Sequence, residues 1–324
     1  MELWQKQLIR SLFHYSAKRM NIELAFIVKH PHLPARLYKY RQFTPNHLDA
    51  LSKNVLWMSS PDRFNDPYDA AVSFDTDRFL IEEQSVHDFI ASAKEMDRVL
   101  KAGGTWQPKK LVHPVQQGTW RQRIMTELLA DANIPHKEEF ARAISEFMKK
   151  QAEDGVKRMS DWFRQGFSVL SLSENVSSTL MWSHYSDSHR GFVIEYDFAS
   201  LGYGDLRRRL CFPVFYTKKL RDATRYMARS DMTDYNNLFG QYMCLIKQDQ
   251  WSYEREWRII HAIGPSHANA ELSMPEPSAI ILGAQVKQAD EDTMAAVCRA
   301  RSIPLKRMVQ RPGRFDLELT DVPL

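Results

Sequence analysis

The sequence predicts an α+β protein with a mixed β-sheet core and a long helical insertion. Three observations carry that prediction. Short aromatic and β-branched stretches suited to strands occur on both sides of the chain centre, at Arg36–Arg41, Val55–Ser59, Phe167–Leu172 and Phe192–Tyr196. Between residues 76 and 165 the apolar residues instead recur three and four apart, the spacing of one helix face. The composition, 44% hydrophobic and 26% charged over 324 residues, is that of a globular chain long enough for a large core.

Residues 1–35 read as a helical arm, with Leu8, Ile9, Leu12 and Phe13 on one face and a break at His30–Pro34, where two prolines disfavour helix. The core is expected over 36–75 and 166–324. Thr44 and Pro45 mark a helix start before His47–Lys53, and Pro61, Asn65 and Pro67 mark a turn-rich loop. In the insertion, Val86, Phe89, Ile90, Ala93 and Met96 form one helical stripe. Ile124, Met125, Leu128 and Leu129 form a second, and Phe140, Ile144, Phe147 and Met148 a third, which suits a cap or a partner surface. Further strands are expected at Phe212–Tyr216, Trp251–Ile260, Ala279–Gly283, Ile303–Val309 and Phe315–Leu319, with helices at Tyr235–Lys247 and Glu291–Arg301.

Whole classes of function lose support. No run of about 18 apolar residues is present, and the N-terminus lacks a continuous signal-peptide core, so a cytosolic protein is expected. Cys211, Cys244 and Cys298 are far apart and read as small buried hydrophobes rather than metal ligands or a disulfide framework. No GxGxxG, P-loop, GxSxG or HExxH pattern occurs. Net charge is only +4, but basic residues cluster from Arg207 to Arg229. That run reads as a solvated face or as a contact for nucleic-acid phosphates.

Four groups of residues have chemical potential. Glu254 and Glu256, two apart on an expected strand, would place both carboxylates on one face, where like charges raise at least one pKa. The alternative is pairing with Arg255 or Arg258, or with lysines on neighbouring strands. Ser171 and Ser173 would share a strand face and orient a ligand, or else serve turn chemistry. Trp182, His184 and Tyr185 offer rings and a donor to a planar ligand, or else belong to a packed helix. Lys39 and Arg41 would share one face of their strand and Tyr38 and Tyr40 the other, placing a cation for an anionic ligand. Asn65 and Asp66 shape a turn. No metal is expected: His184 and His189 lie five apart, off ligand spacing.

The blocks RLYKYR, SSPDRFNDPYD, SLSEN, LMWSHYSDSHRGFVIEYD and WSYEREWRII, in that order, resemble the bacterial domain-of-unknown-function family numbered 2971. Some members of that family look like phage-defence or toxin–antitoxin components. The order Tyr-Arg, Ser-x-Ser, Glu-x-Glu more distantly resembles ADP-ribosyltransferases. That resemblance implies a split, strongly bent sheet gripping NAD as substrate, with a protein or nucleic acid as acceptor. On it, Tyr40, Arg41 and Lys39 would hold phosphates or ribose, and Ser171 and Ser173 would brace the nicotinamide end. Tyr185 or Trp182 would stack on nicotinamide. Glu256 would stabilise the cationic transition state, and Glu254 would position the acceptor nucleophile. Two other readings stand beside it. One is a non-catalytic module binding nucleic acid through Arg207–Arg229 or a partner protein through the insertion. The other is a metal-dependent nuclease using Asp66, Asp69, Glu254, Glu256 and His184.

Overall fold

The computed structural model describes residues 1–73, 164–224, 234, 236–262 and 269–324, with scattered positions between 98 and 161. The helical stripes expected within 76–165 lie outside the described residues. The chain forms two compact units. The larger comprises Met1–Ala71, Phe163–Leu220 and Asn236–Leu324, and the smaller Val72–Trp162 and Arg221–Tyr235.

The arm forms two helices, α1 (Leu3–Leu12) and α2 (Ile22–Lys29). Leu8, Leu12 and Phe13 are buried, as their spacing requires. Strand β1 (Arg36–Arg41) follows, then α3 (Pro45–Ser52) and β2 (Val55–Ser59). The Thr44 side chain accepts from the His47 amide, satisfying one of the free donors of the first turn of α3. In the smaller unit, β3 (Val72–Ser73) pairs with a short parallel strand at Arg221–Asp222.

The chain then supplies β4 (Phe167–Ser173), α4 (Thr179–Tyr185) and β5 (Phe192–Asp197). The expected strand at Phe212–Tyr216 is two strands, β6 (Cys211–Pro213) and β7 (Phe215–Thr217), preceded by the short helix α5 (Leu206–Arg209). The break has a cause. The Val214 amide donates to Glu256 and the next amide, Phe215, to Leu245, so the chain changes partners between adjacent residues. With Arg221–Asp222 as β8, the succession continues through α6 (Leu238–Met243), β9 (Ile246–Gln248) and β10 (Glu256–Ala262). It ends with β11 (Asn269–Ser273), β12 (Ala279–Leu282), α7 (Gln288–Arg301), β13 (Leu305–Gln310) and β14 (Leu317–Asp321).

Ten strands form one mixed sheet in the order β11-β2-β4-β1-β5-β12-β13-β14, with β10 pairing β4 and β6. Its pairs are antiparallel except β12 with β13, which α7 connects as a crossover. Leu37, Leu170, Leu172, Ile194, Trp257, Ile259, Ile280 and Leu282 fill the principal core on one face, and Trp182, Val193, Ile281 and Met308 fill a second. All three cysteines are free and buried.

The branching at β4 positions the site. One edge of β4 pairs with β10 over its whole length, from Glu256↔Ser173 to Ala262↔Phe167. Its other edge meets β2 at Ser59↔Val169 and β1 only at Tyr38↔Ser173. Beyond Tyr38 the strands part, while β1 continues along β5 as far as Arg41↔Phe192.

A glycine secures that far end. A Cβ on Gly191 would stand 2.1 Å from the Arg41 carbonyl oxygen. The backbone has nowhere to retreat, because the Gly191 amide donates to Ser186 and its carbonyl accepts from Gly283. Gly191→Ala is therefore expected to cost about 1–3 kcal/mol, as overpacking against fixed backbone does. Urea denaturation checks this, and an unchanged midpoint would contradict it.

Candidate functional site

Where β1 and β4 part, a cleft of about 510 Å³ opens. Lys39, Tyr40 and Arg41 line it from β1, and Ser171 and Ser173 from β4. His184 and Tyr185 at the end of α4 and Glu254 and Glu256 around the start of β10 complete it. Residues from four distant sequence segments thus meet in one place.

The parting leaves the Ser171 carbonyl without a strand partner on that side, and the Lys39 ammonium donates to it at 2.7 Å. Burial, with Arg41 nearby, holds the Lys39 ammonium well below its usual range. The Tyr40 hydroxyl donates to the Asn175 carbonyl at 2.6 Å. The Ser173 hydroxyl donates to the Glu254 carbonyl at 2.5 Å and accepts from the Asn175 amide. Lys39, Tyr40 and Ser173 therefore build the walls. Arg41 differs, for it makes no ion pair among the described residues, and burial lowers it to about 10.

The expectation that Trp251–Ile260 is one strand is corrected. Asp249–Glu254 is a 3-10 helix, and Arg255 takes the left-handed conformation at φ 44° and ψ 55° before β10 begins. Glu254 and Glu256 therefore do not share a strand face by alternation. They converge because the kink at Arg255 turns both toward Lys247.

The floor of the cleft is a buried charge cluster of three carboxylates and two cations: Asp69, Glu254, Glu256, Lys247 and Arg258. Arg258 grips Asp69 with two hydrogen bonds of 2.7 and 2.6 Å, and Glu256 with two of 2.8 and 3.0 Å. It also donates to the Cys244 carbonyl. Lys247 bonds Glu254 and reaches Glu256 at 3.2 Å. The Tyr185 hydroxyl donates to the other Glu254 oxygen at 2.7 Å.

The two glutamates separate electrostatically. Burial pushes Glu256 up, but the Arg258 and Lys247 charges outweigh it and hold this carboxyl well below the usual carboxylate range. Burial and the Glu256 charge push Glu254 the other way, above its usual range, against the pull of Lys247 and Tyr185. The two neighbouring carboxyls are thus pushed in opposite directions, the asymmetry that lets one pair divide acid and base roles. The pairing of these acids with Arg258, an alternative open from the sequence, is also present, but it occurs inside the cleft wall.

Trp182 is a correction. Its ring is fully buried, its indole N–H donates to the Val176 carbonyl at 2.7 Å, and it packs edge-on against Tyr40. It cannot stack on a ligand. Tyr38 and Tyr40 also line the cleft with Lys39 and Arg41, because the opening wraps around the strand. His189 is held outside the cleft lining by stacking on Trp182 and by a contact with Ser183. It closes a left-handed run, Asp187, Ser188 and His189 at φ 47°, 53° and 67°. Such residues cost roughly 1–2 kcal/mol each and persist only where surrounding bonds determine them.

Asp66 shapes its turn as expected, its carboxylate accepting from the Tyr68 amide at 2.9 Å. Asn65 does more than turn the chain: it lines the cleft. Of the carboxylates named for a nuclease, Asp69, Glu254 and Glu256 do converge, but Lys247 and Arg258 occupy the positions between them. A lysine partner for the two glutamates agrees with one alternative the sequence leaves open, but nothing in the sequence singles out Lys247. Read within an extended helix, it had no reason to point inward; on β9 between Ile246 and Gln248 it does.

No curated protein and no solved structure matches the chain. No helix among the described residues is long and apolar enough to cross a membrane. Residues 181–259, which carry His184, Tyr185, Lys247, Glu254, Glu256 and Arg258, match the family described as Protein of unknown function (DUF2971), the family whose sequence blocks the chain resembles.

Proposed function

We propose that the cleft binds NAD and breaks its glycosidic bond to nicotinamide, passing ADP-ribose to a protein or nucleic-acid acceptor. The observation that carries this reading is the pairing, across one cleft, of an arginine that makes no ion pair among the described residues with two electrostatically distinct carboxylates. Cleavage of a nucleotide's glycosidic bond needs a cation for the phosphates and fixed negative charge where the sugar becomes cationic. Arg41 supplies the first and Glu256, held ionised by Arg258 and Lys247, the second. Glu254, with its raised pKa, is the group suited to take a proton from the acceptor. Ser171 and Tyr185 flank the carboxylates, and Lys39, Tyr40 and Ser173 keep the two strands apart.

Calorimetric titration with NAD tests the binding half of this reading. Arg41→Met, which keeps an apolar stem, is expected to weaken binding about 10- to 100-fold, the loss of a charge-assisted contact worth roughly 1.5–3 kcal/mol. Equal affinity in the variant, or no binding by the wild-type protein, would overturn it.

A further inference from the structure

A second cavity of about 370 Å³ lies between α2 and the segment Tyr203–Arg209. Phe26, His30 and Tyr203 give it aromatic walls, and Lys29, Arg208 and Arg209 give it three cations. Among the described residues, no acidic side chain lines it. None of these residues belongs to the cleft described above.

The basic triplet divides its labour. Arg207 is neutralised by Asp205, with a contact of 2.5 Å. Arg208 is part of the wall, donating to the Leu201 carbonyl, meeting His30 Nε2 at 2.7 Å and lying 4.9 Å from the Tyr203 ring. Arg209 makes no ion pair among the described residues; its guanidinium lies 4.9 Å over the Phe26 ring and is exposed. Lys29 fixes the arrangement from below. Its buried ammonium donates to the carbonyls of Arg208, Arg209 and Cys211 at 3.0, 2.7 and 2.8 Å, tying the end of α5 to α2.

Tyr203 packs against the His30 ring, tilted by 33° with ring centres 4.3 Å apart, yet remains 76% exposed. A tyrosine held in place by two neighbours and still open to solvent is a stacking platform. Beside it stands Arg209, which makes no ion pair among the described residues. Aromatic platforms with adjacent cations hold a base by its π-face and its phosphate by charge.

We infer that this pocket binds a nucleotide unit, its base on Tyr203 and its phosphate at Arg209. The unit is either a free mononucleotide or one residue of a single strand. The site is separate from the cleft, so its test stands apart from the NAD reading.

Titrations with AMP, with a fluorescein-labelled single-stranded oligoadenylate and with a labelled duplex distinguish the sources. Tyr203→Ala and Arg209→Ala are both exposed substitutions, expected to leave the thermal transition unchanged. Each is expected to weaken binding at least tenfold. Arg209→Ala should also reduce the salt slope of single-strand binding by about 0.7, one phosphate contact. Comparable binding of AMP assigns a free nucleotide, and binding of the oligonucleotide alone assigns a single strand; both support the site. Unchanged affinity in both variants, binding of neither probe, or tighter binding of the duplex would overturn it.

Discussion

Glu256→Gln is expected to lower nicotinamide release from NAD by about 10²–10³-fold, the loss typical when one fixed electrostatic stabiliser of a transition state is removed. The fold should survive the change. The buried cluster holds three carboxylates against two cations, so an amide at Glu256 leaves Asp69 and Glu254 to balance Lys247 and Arg258. Glu254→Gln is expected to behave differently. It removes a proton acceptor, typically worth about 10²–10⁴-fold. It should also flatten the pH–rate profile, because Glu254 is the carboxyl raised above its usual range. In the wild-type protein the rate should therefore still rise with pH above the ordinary carboxylate range. Full activity in Glu256→Gln would remove that residue from the mechanism.

Arg258→Met should have the largest effect on stability. Arg258 is 1% exposed and satisfies both oxygens of Asp69, both of Glu256 and the Cys244 carbonyl. Its removal strands three buried carboxylates around Lys247 alone, and breaking a buried pair from one side costs about 3–5 kcal/mol. The pH dependence gives a second signature. In the wild-type protein the folded Glu256 pKa is depressed, so its contribution is intact above the 4.5 of a free glutamate and declines as pH falls below it. Without Arg258, burial is opposed by Lys247 and the Ser171 hydroxyl alone, and the variant should lose less stability on acidification than the wild-type protein. Denaturant titrations at pH 7 and pH 4 measure both. Equal stability of the two proteins at pH 7 would contradict the account of the cluster.

Much of this was legible in the chain, for reasons that differ by element. Strands β1 and β2 begin and end where their alternation predicts, because aromatic and β-branched residues stop at clear turn signals. The helix expected over Tyr235–Lys247 is shorter, Leu238–Met243, and gives way to β9. Ile246 and Lys247 continue the helical spacing of Leu238, Phe239 and Tyr242, so periodicity could not reveal that Phe215 and Tyr216 would claim them as a strand partner. The kink at Arg255 was hidden for a related reason. An arginine rarely adopts a left-handed conformation, and nothing local in WSYEREW announces one.

The candidate site was visible as residue types, and most of those named line one cleft. Their division of labour was not visible. That Lys39, Tyr40 and Ser173 serve the walls follows from hydrogen bonds to carbonyls exposed by the parting of β1 and β4, which is a property of the sheet rather than of any motif. That Trp182 is core follows from the turn of α4 that directs its indole to Val176. Asp69, Lys247 and Arg258 carry no motif either, since an ion cluster assembled from three distant segments leaves no spacing to read.

The most direct test is a crystal structure of the protein grown with saturating NAD. The account predicts the pyrophosphate beside Arg41 and the ribose next to nicotinamide facing Glu254 and Glu256, in the opening between β1 and β4. NAD bound elsewhere, or a cleft that stays empty at saturating concentration, would contradict it.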